Sequence, residues 1–171
     1  MASTPSTTTD FTAPEGLRIG HVHLRVSDLD RSVAFYRDVI GLTEQLRWRD
    51  QAAFLGADGY HHHVGLNTWS SRGAGPADPR RPGLFHIAFL YPTRADLGCA
   101  VARVMACGVA LTGASDHGVS EAVYLDDPDG NGIELYRDRP VAEWPRGADG
   151  ALEMVNAPLD VAALVREGRG G

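Results

Sequence analysis

Between Arg18 and Tyr136 the chain states one pattern twice, and this internal repeat limits the possible folds more than any other feature. The first statement opens with IGHVHLRV, residues 19–26, which alternates apolar and polar side chains as a half-buried strand does. Ser27 is expected to cap a helix, with Asp30 completing a short-armed capping box. Leu29, Val33, Tyr36 and Ile40 recur at helical spacing, and Gly41 supplies the stop. Three strand-like stretches follow, near 44–49, 51–57 and 61–69. The second statement opens with LFHIAFLY, residues 84–91. Thr93 then caps a helix with Asp96 three residues on, Leu97, Val101 and Val104 form its apolar stripe, and Gly108 ends it. Strands are expected at 110–111, 122–126 and 133–136. Each unit therefore reads β-α-β-β-β. A sheet with one helix on its outer face must bury its other face against a second such unit. The expected class is α+β, two βαβββ units forming a half-open mixed β-barrel around a cavity.

A length of 171 residues suits one compact domain, and 43% hydrophobic with 22% charged residues is ordinary for a globular chain. Residues 1–16 read as a disordered polar tail, and 17–140 as the repeat domain, with units at 18–69 and 84–138. The stretch 70–83, SSRGAGPADPRRPG, reads as an exposed linker. Residues 141–171 form a turn-rich extension. A short helix is expected to start near Pro158 and bury Val161, Leu164 and Val165, with a loose tail from Arg166. Cys99 and Cys107 lie on one predicted helix and cannot build a disulfide framework, which points to a reducing, cytoplasmic setting. The net charge of -6, with no basic run longer than a pair, argues against nucleic-acid and anionic-membrane partners. No apolar run approaches the roughly 20 residues needed to span a bilayer.

The repeat is asymmetric where chemistry is concerned. His21 sits on the first strand of unit one, His86 at the matching point of unit two, and Glu134 on the last strand of unit two. Glu134 lies 26 residues beyond Gly108, and the same count from Gly41 falls near Leu66 and Asn67, so unit one lacks the carboxylate. Two neutral imidazoles and one carboxylate on one face leave open coordination positions, which suits Fe(II) and also Mn, Ni or Zn chemistry. Each residue alone also fits a packed or solvated role; the placement of all three in one frame favours ligation.

HVHLRVSDLDRSVAFYRDVIGL and DPDGNGIELY resemble the opening and closing motifs of the glyoxalase, bleomycin-resistance and dioxygenase (vicinal oxygen chelate) superfamily, over about residues 18–140. The resemblance implies a metal triad of His21, His86 and Glu134. HGVSEAVYLDDPDGNGIE, residues 117–134, is similar to the signature of type I extradiol dioxygenases, and implies that His117 and Tyr124 act beside the metal. Ser115 departs from that signature, which has Gly, Asn, Thr or an aliphatic residue there. GYHHHVGLNTW, residues 59–69, resembles a stretch of catechol 2,3-dioxygenases and implies an acid-base histidine. The family pattern selects His62, with His63 and His61 behind it; strand alternation places His62 on the face opposite the other two. His23 shares a face with His21 and reads as cavity lining.

The activity so implied is extradiol cleavage of a catechol-type aromatic with insertion of both atoms of O2. Fe(II) is held by the triad, His62 moves a proton, His117 hydrogen-bonds the substrate oxygen and Tyr124 steadies developing charge. Trp48, Phe54, Trp69 and Trp144 are available for a substrate wall or for packing. The alternatives are a glyoxalase-like or thiol-transferase metalloenzyme of the same fold and a metal-free small-molecule (drug) binding protein. Type I extradiol enzymes often carry four such units. With two here, a homodimer is expected, and His21 could serve its own chain's site or the partner's.

Overall fold

The computed structural model describes residues 12–76 and 78–170. Unit one comprises β1 (Val22–Arg25), α1 (Leu29–Ala34) prolonged by a wider π-helical stretch (Phe35–Ile40), β2 (Thr43–Trp48), β3 (Ala52–Gly56) and β4 (Val64–Asn67). Unit two comprises β5 (His86–Leu90), α2 (Arg94–Ala106), β6 (Leu111–Asp116), β7 (Ser120–Asp126) and β8 (Gly132–Asp138). A 3-10 turn (Val141–Glu143), β9 (Ala157–Pro158) and α3 (Val161–Arg169) follow. The polar tail expected over 1–16 falls, up to residue 11, outside the described residues.

The class is α+β, with two βαβββ units as the repeat predicts. One sheet runs β1-β4-β3-β2 and the other β5-β8-β7-β6-β9. In each, the unit's first strand lies parallel to its last, and the remaining pairs are antiparallel. Both units carry a bulge early in the strand after the helix, between Glu44 and Leu46 and between Leu111 and Gly113. Among the described residues no strand pairing joins the two sheets. They flank a cavity instead, which is the half-open arrangement.

The helical stripes bury as expected: Leu29, Val33, Tyr36 and Ile40 on one helix, Leu97, Val101 and Val104 on the other. Each such side chain contributes about 1.5–3 kcal/mol on burial. One hydrophobic core runs through both units and takes in Leu164 and Val165 of α3. Gly41 and Gly108 end their helices in the left-handed conformation, at φ 95° and 73°. Thr93 caps α2, accepting from the Asp96 N–H at 3.1 Å.

Four sequence expectations are corrected. The cap of α1 is Asp28, which accepts from the Arg31 N–H at 3.0 Å, because Ser27 is drawn one residue earlier onto Asp129 of unit two. Asp30 makes no capping box; it pairs with Arg47 at 2.6 Å. His61 and His62 precede β4 in a turn, and of the three histidines only His63 joins the sheet, donating to the Leu55 carbonyl and accepting from the Val22 N–H. The tail beyond Arg166 is helical to Arg169, since Gly168 packs so closely on Gly98 and Cys99 of α2 that neither glycine position admits a Cβ.

Candidate active site

Strand register builds the site. Ile87, Val123, Leu125, Ile133 and Leu135 are buried toward the helices, so alternation turns His86, Tyr124 and Glu134 to the opposite face. Glu134 pairs in register with Ala88 on one side and Tyr124 on the other, and His86 pairs with Gly132. The three side chains therefore meet diagonally across β5, β8 and β7. The same register corrects the unit-one equivalence. Val22 faces Val64 as Ile87 faces Ile133, so the counterpart of Glu134 is Gly65, not Leu66 or Asn67. Gly65 lies 24 residues beyond Gly41, because unit two's connections are longer. A Cβ at Gly65 would come within 2.9 Å of the His23 ring, which occupies the space a carboxylate would need.

His86 Nε2 stands 3.0 Å from Glu134 Oε2. Tyr124 donates to Glu134 Oε1 at 3.0 Å, and His117 Nε2 is 2.9 Å from the Tyr124 hydroxyl. Two ligands held roughly 2.1 Å from one cation in adjacent positions are about 3.0 Å apart, so His86 and Glu134 fit neighbouring coordination positions. His86 Nδ1 is buried with no hydrogen-bond partner among the described residues, which leaves Nε2 as the ring's working atom. Burial, then the Glu134 carboxylate, pushes Tyr124 up to about 12, so its hydroxyl stays protonated near neutrality. The Val155 carbonyl, 3.1 Å from His117 Nδ1, can only accept, so Nδ1 carries a proton. The Tyr124 proton then has two acceptors, Glu134 Oε1 and His117 Nε2. Satisfying both contacts at once takes one further proton, on His117 Nε2. The trio can thus hold or release one proton without rearranging.

Four of the six predicted residues are brought together: His86, His117, Tyr124 and Glu134. His21 and His62 form a second group, with ring centroids 4.5 Å apart, and His61 Nδ1 lies 2.7 Å from His62 Nδ1. Burial, then His21 and His61, lowers the His62 pKa. Among the described residues no three His, Cys, Asp or Glu side chains group closely enough to hold a metal, so His21 does not join His86 and Glu134 within one chain. An aromatic strip continues from this second group: Phe54 packs on His62 and His23, His23 on Trp69, and Trp69 on Trp48. Trp144 stands apart and donates its indole N–H to the Arg139 carbonyl.

A cavity of about 1120 Å³ separates the units. His23 and Arg25 of β1 line one side, and His86 and Tyr124 the other. The linker forms a further wall with Pro76, Pro79 and Phe85 beyond it, so residues 72–76 and 78–83 are exposed yet shape the site. The linker is held by the Gly73 N–H on the Ser27 carbonyl and by the Ser71 hydroxyl on the Val26 carbonyl. Sequence reading missed two structural supports. Asp127 and Asp129, noted only as motif letters, hold the loop before β8 against α1: Tyr36 donates to Asp127 at 3.0 Å, and Ser27 and Arg31 meet Asp129. Glu121, buried on β7, takes Arg94, Arg137 and Arg139. The dense acidic loop and the buried glutamate on a strand were the available signals.

Comparison with known proteins bears on this geometry. The sequence model of the Glyoxalase/Bleomycin resistance protein/Dioxygenase superfamily matches residues 18–135. A catechol-2,3-dioxygenase of Bacillus subtilis (strain 168) is 42% identical over 153 residues, 90% of this chain and 53% of the relative. A biphenyl-2,3-diol 1,2-dioxygenase of Rhodococcus globerulus is 32% identical over 121 residues, 71% of this chain and 63% of the relative. The chain thus spans a little over half the length of these curated relatives. Among solved structures, a glyoxylase/bleomycin resistance protein/dioxygenase domain from Frankia sp. EAN1pec superposes with a TM-score of 0.61 at 27% identity, covering 72% of this chain and 98% of that one. The family match over most of the chain agrees with the two βαβββ units around a half-open cavity, and the chain belongs to the glyoxalase/bleomycin resistance protein/dioxygenase superfamily, with the vicinal oxygen chelate fold.

Proposed function

We propose that the protein is an extradiol ring-cleaving dioxygenase acting on a catechol-type aromatic. The observation that carries this reading is the hydrogen-bonded line His117–Tyr124–Glu134, with His86 on the other carboxylate oxygen. The 42% identical catechol-2,3-dioxygenase supports it. His86 and Glu134 would hold a divalent metal together with His21, and a bound Fe(II), with Mn, Ni or Zn as alternatives, would supply polarisation of the catechol oxygens and a route to O2.

The chain's own residues have distinct tasks. Tyr124 fixes one Glu134 oxygen and leaves the other to the ligand side. His117 takes up or returns a proton at Nε2, through the Tyr124 hydroxyl or directly to a substrate oxygen. His62, whose ring lies tilted against His21 and whose pKa burial and then His21 lower, serves as the second proton carrier. Phe54 and Trp69 pack on His23, which lines the cavity, and back that wall with aromatic surface. His21 reaches the site by closure of the units or from a second copy, and a cytoplasmic homodimer accommodates both.

The test is oxygen uptake after anaerobic Fe(II) loading, across simple, alkylated and biphenyl-type catechols. The expected result is uptake matched one-to-one by a yellow ring-opened product. No uptake with iron shown to be bound would overturn the reading in favour of a glyoxalase-like or thiol-transferase enzyme. The separation of His21 from His86 favours a second reading, a metal-free small-molecule binder. Failure to retain any divalent metal would select it.

A further inference from the structure

The C-terminal extension lies outside both units, yet it touches the site at one point. Trp144 anchors its start on the Arg139 carbonyl at 2.8 Å. The chain then doubles back, with the Gly147 N–H on the Ala151 carbonyl and the Glu153 N–H on the Pro145 carbonyl, both at 2.9 Å. The returning strand runs along β6, Ala157 opposite Asp116 and Pro158 opposite Ser115. Val155 brackets His117: its N–H donates to the His117 carbonyl at 3.1 Å, and its carbonyl accepts from His117 Nδ1 at 3.1 Å.

We propose that this strap, residues 145–158, is a positioning element of the active site, with Ser115 and Asn156 as its latch. The Ser115 hydroxyl bonds the Asn156 side-chain oxygen and lies 3.3 Å from the Ala157 carbonyl. Ser115 is the position where the sequence departs from the dioxygenase signature, and the latch accounts for the hydroxyl there. Gly118 adds a second, independent fit. It adopts φ +74°, and a Cβ there would stand 2.6 Å from Pro145 Cγ and 3.1 Å from Val155 Cγ2, so the strap rests directly on its Cα. The consequence is chemical. A carbonyl accepts and never donates, so Val155 selects the Nδ1–H tautomer of His117 and turns Nε2 to the Tyr124 hydroxyl at 2.9 Å. Without the strap the ring can rotate and populate both tautomers, and only one of them presents Nε2 correctly.

This inference rests on the dioxygenase reading for its kinetic consequence but not for its structural one. The decisive variant is Asn156→Ala in the full-length chain, with Ser115→Ala as a second. In iron-loaded protein, kcat for ring cleavage should fall about 10- to 100-fold with KM and bound iron per chain unchanged. In a His117→Asn background, Asn156→Ala should cost nothing more. An additive loss in that background would overturn the proposal. Imidazole 15N NMR of the protein without added metal should show His117 as a fixed Nδ1–H form, converted to a tautomer mixture by Asn156→Ala. An unchanged His117 spectrum in both variants would overturn the strap whatever reaction the site performs. A changed spectrum with no ring cleavage would retain the strap and reject the dioxygenase.

Discussion

Glu134 is the residue on which the site turns, because its two oxygens face different partners. Oε1 accepts from Tyr124 and Oε2 meets His86. Replacing it by glutamine keeps the shape but removes the negative charge and puts a donor where an acceptor is required. Glu134→Gln is expected to lose divalent-metal binding and activity together, measured by metal content after anaerobic loading and by oxygen uptake. Tyr124→Phe removes only the hydrogen bond that orients the carboxylate, and should weaken metal affinity by about 10- to 100-fold. A Glu134→Gln protein with full activity and no metal would reject the proposed chemistry.

At the scale of elements, the crossing of α2 and α3 carries the C-terminal extension. Gly98 packs against the Leu164 carbonyl and Gly168, and the Cys99 thiol donates to the Gly168 carbonyl at 2.7 Å. Such close backbone approach leaves no room for a methyl group. Gly98→Ala should therefore destabilise the fold by about 1–3 kcal/mol, despite the better helix propensity of alanine. Urea unfolding reads this as a lower midpoint. A midpoint at or above that of the parent protein would show that the helices separate without cost. The widened π-helical stretch of α1 is held at Tyr36. Tyr36 is fully buried and donates to Asp127 across the unit boundary, and the Leu42 N–H reaches back to the Tyr36 carbonyl at 2.9 Å. Burial, then Asp127, holds its phenol well above the ordinary tyrosine range.

Across the whole molecule, the two units are clamped by the 127–131 loop. The Asp129 carboxylate accepts from the Ser27 N–H and hydroxyl, pairs with Arg31 at 2.5 Å, and sits at the positive end of α1. That loop leads straight into β8, so the clamp ties the position of Glu134 to β1 and α1 and sets the width of the cavity. Asp129→Ala should cost about 2–3 kcal/mol, since it removes hydrogen bonds to a buried charged group. Arg31→Ala, whose side chain is half exposed, should cost under about 1 kcal/mol. Equal shifts in the unfolding midpoint would show that the clamp is only a surface ion pair.

Much of this organisation was legible beforehand because it rests on local periodicity. The first strand of each unit, shorter in the fold than the expected 19–26 and 84–91, the apolar stripes of both helices, the stops at Gly41 and Gly108 and the Thr93 cap all depend on near neighbours in sequence. His86 and Glu134 stood out by their places in the repeat, since strand register has a period of two and a repeated register brings matching positions to one face; His117 and Tyr124 stood out only through the resemblance to the dioxygenase signature. What lay beyond reach depends on contacts between distant segments. Ser27 yields its cap to Asp28 because Asp129, 102 residues away, takes it. Gly65 rather than Leu66 matches Glu134 because pairing, not residue count, defines equivalence. The tail at Arg166 stays helical only because α2 offers it a glycine to pack on. The sequence by itself determined the repeat and the order of most of its elements, since these follow from local periodicity and side-chain type, and it offered the candidate site residues. Only the tertiary structure decided which of those residues meet within one chain, how the linker walls the cavity and what the C-terminal strap holds, because such contacts depend on how whole elements pack.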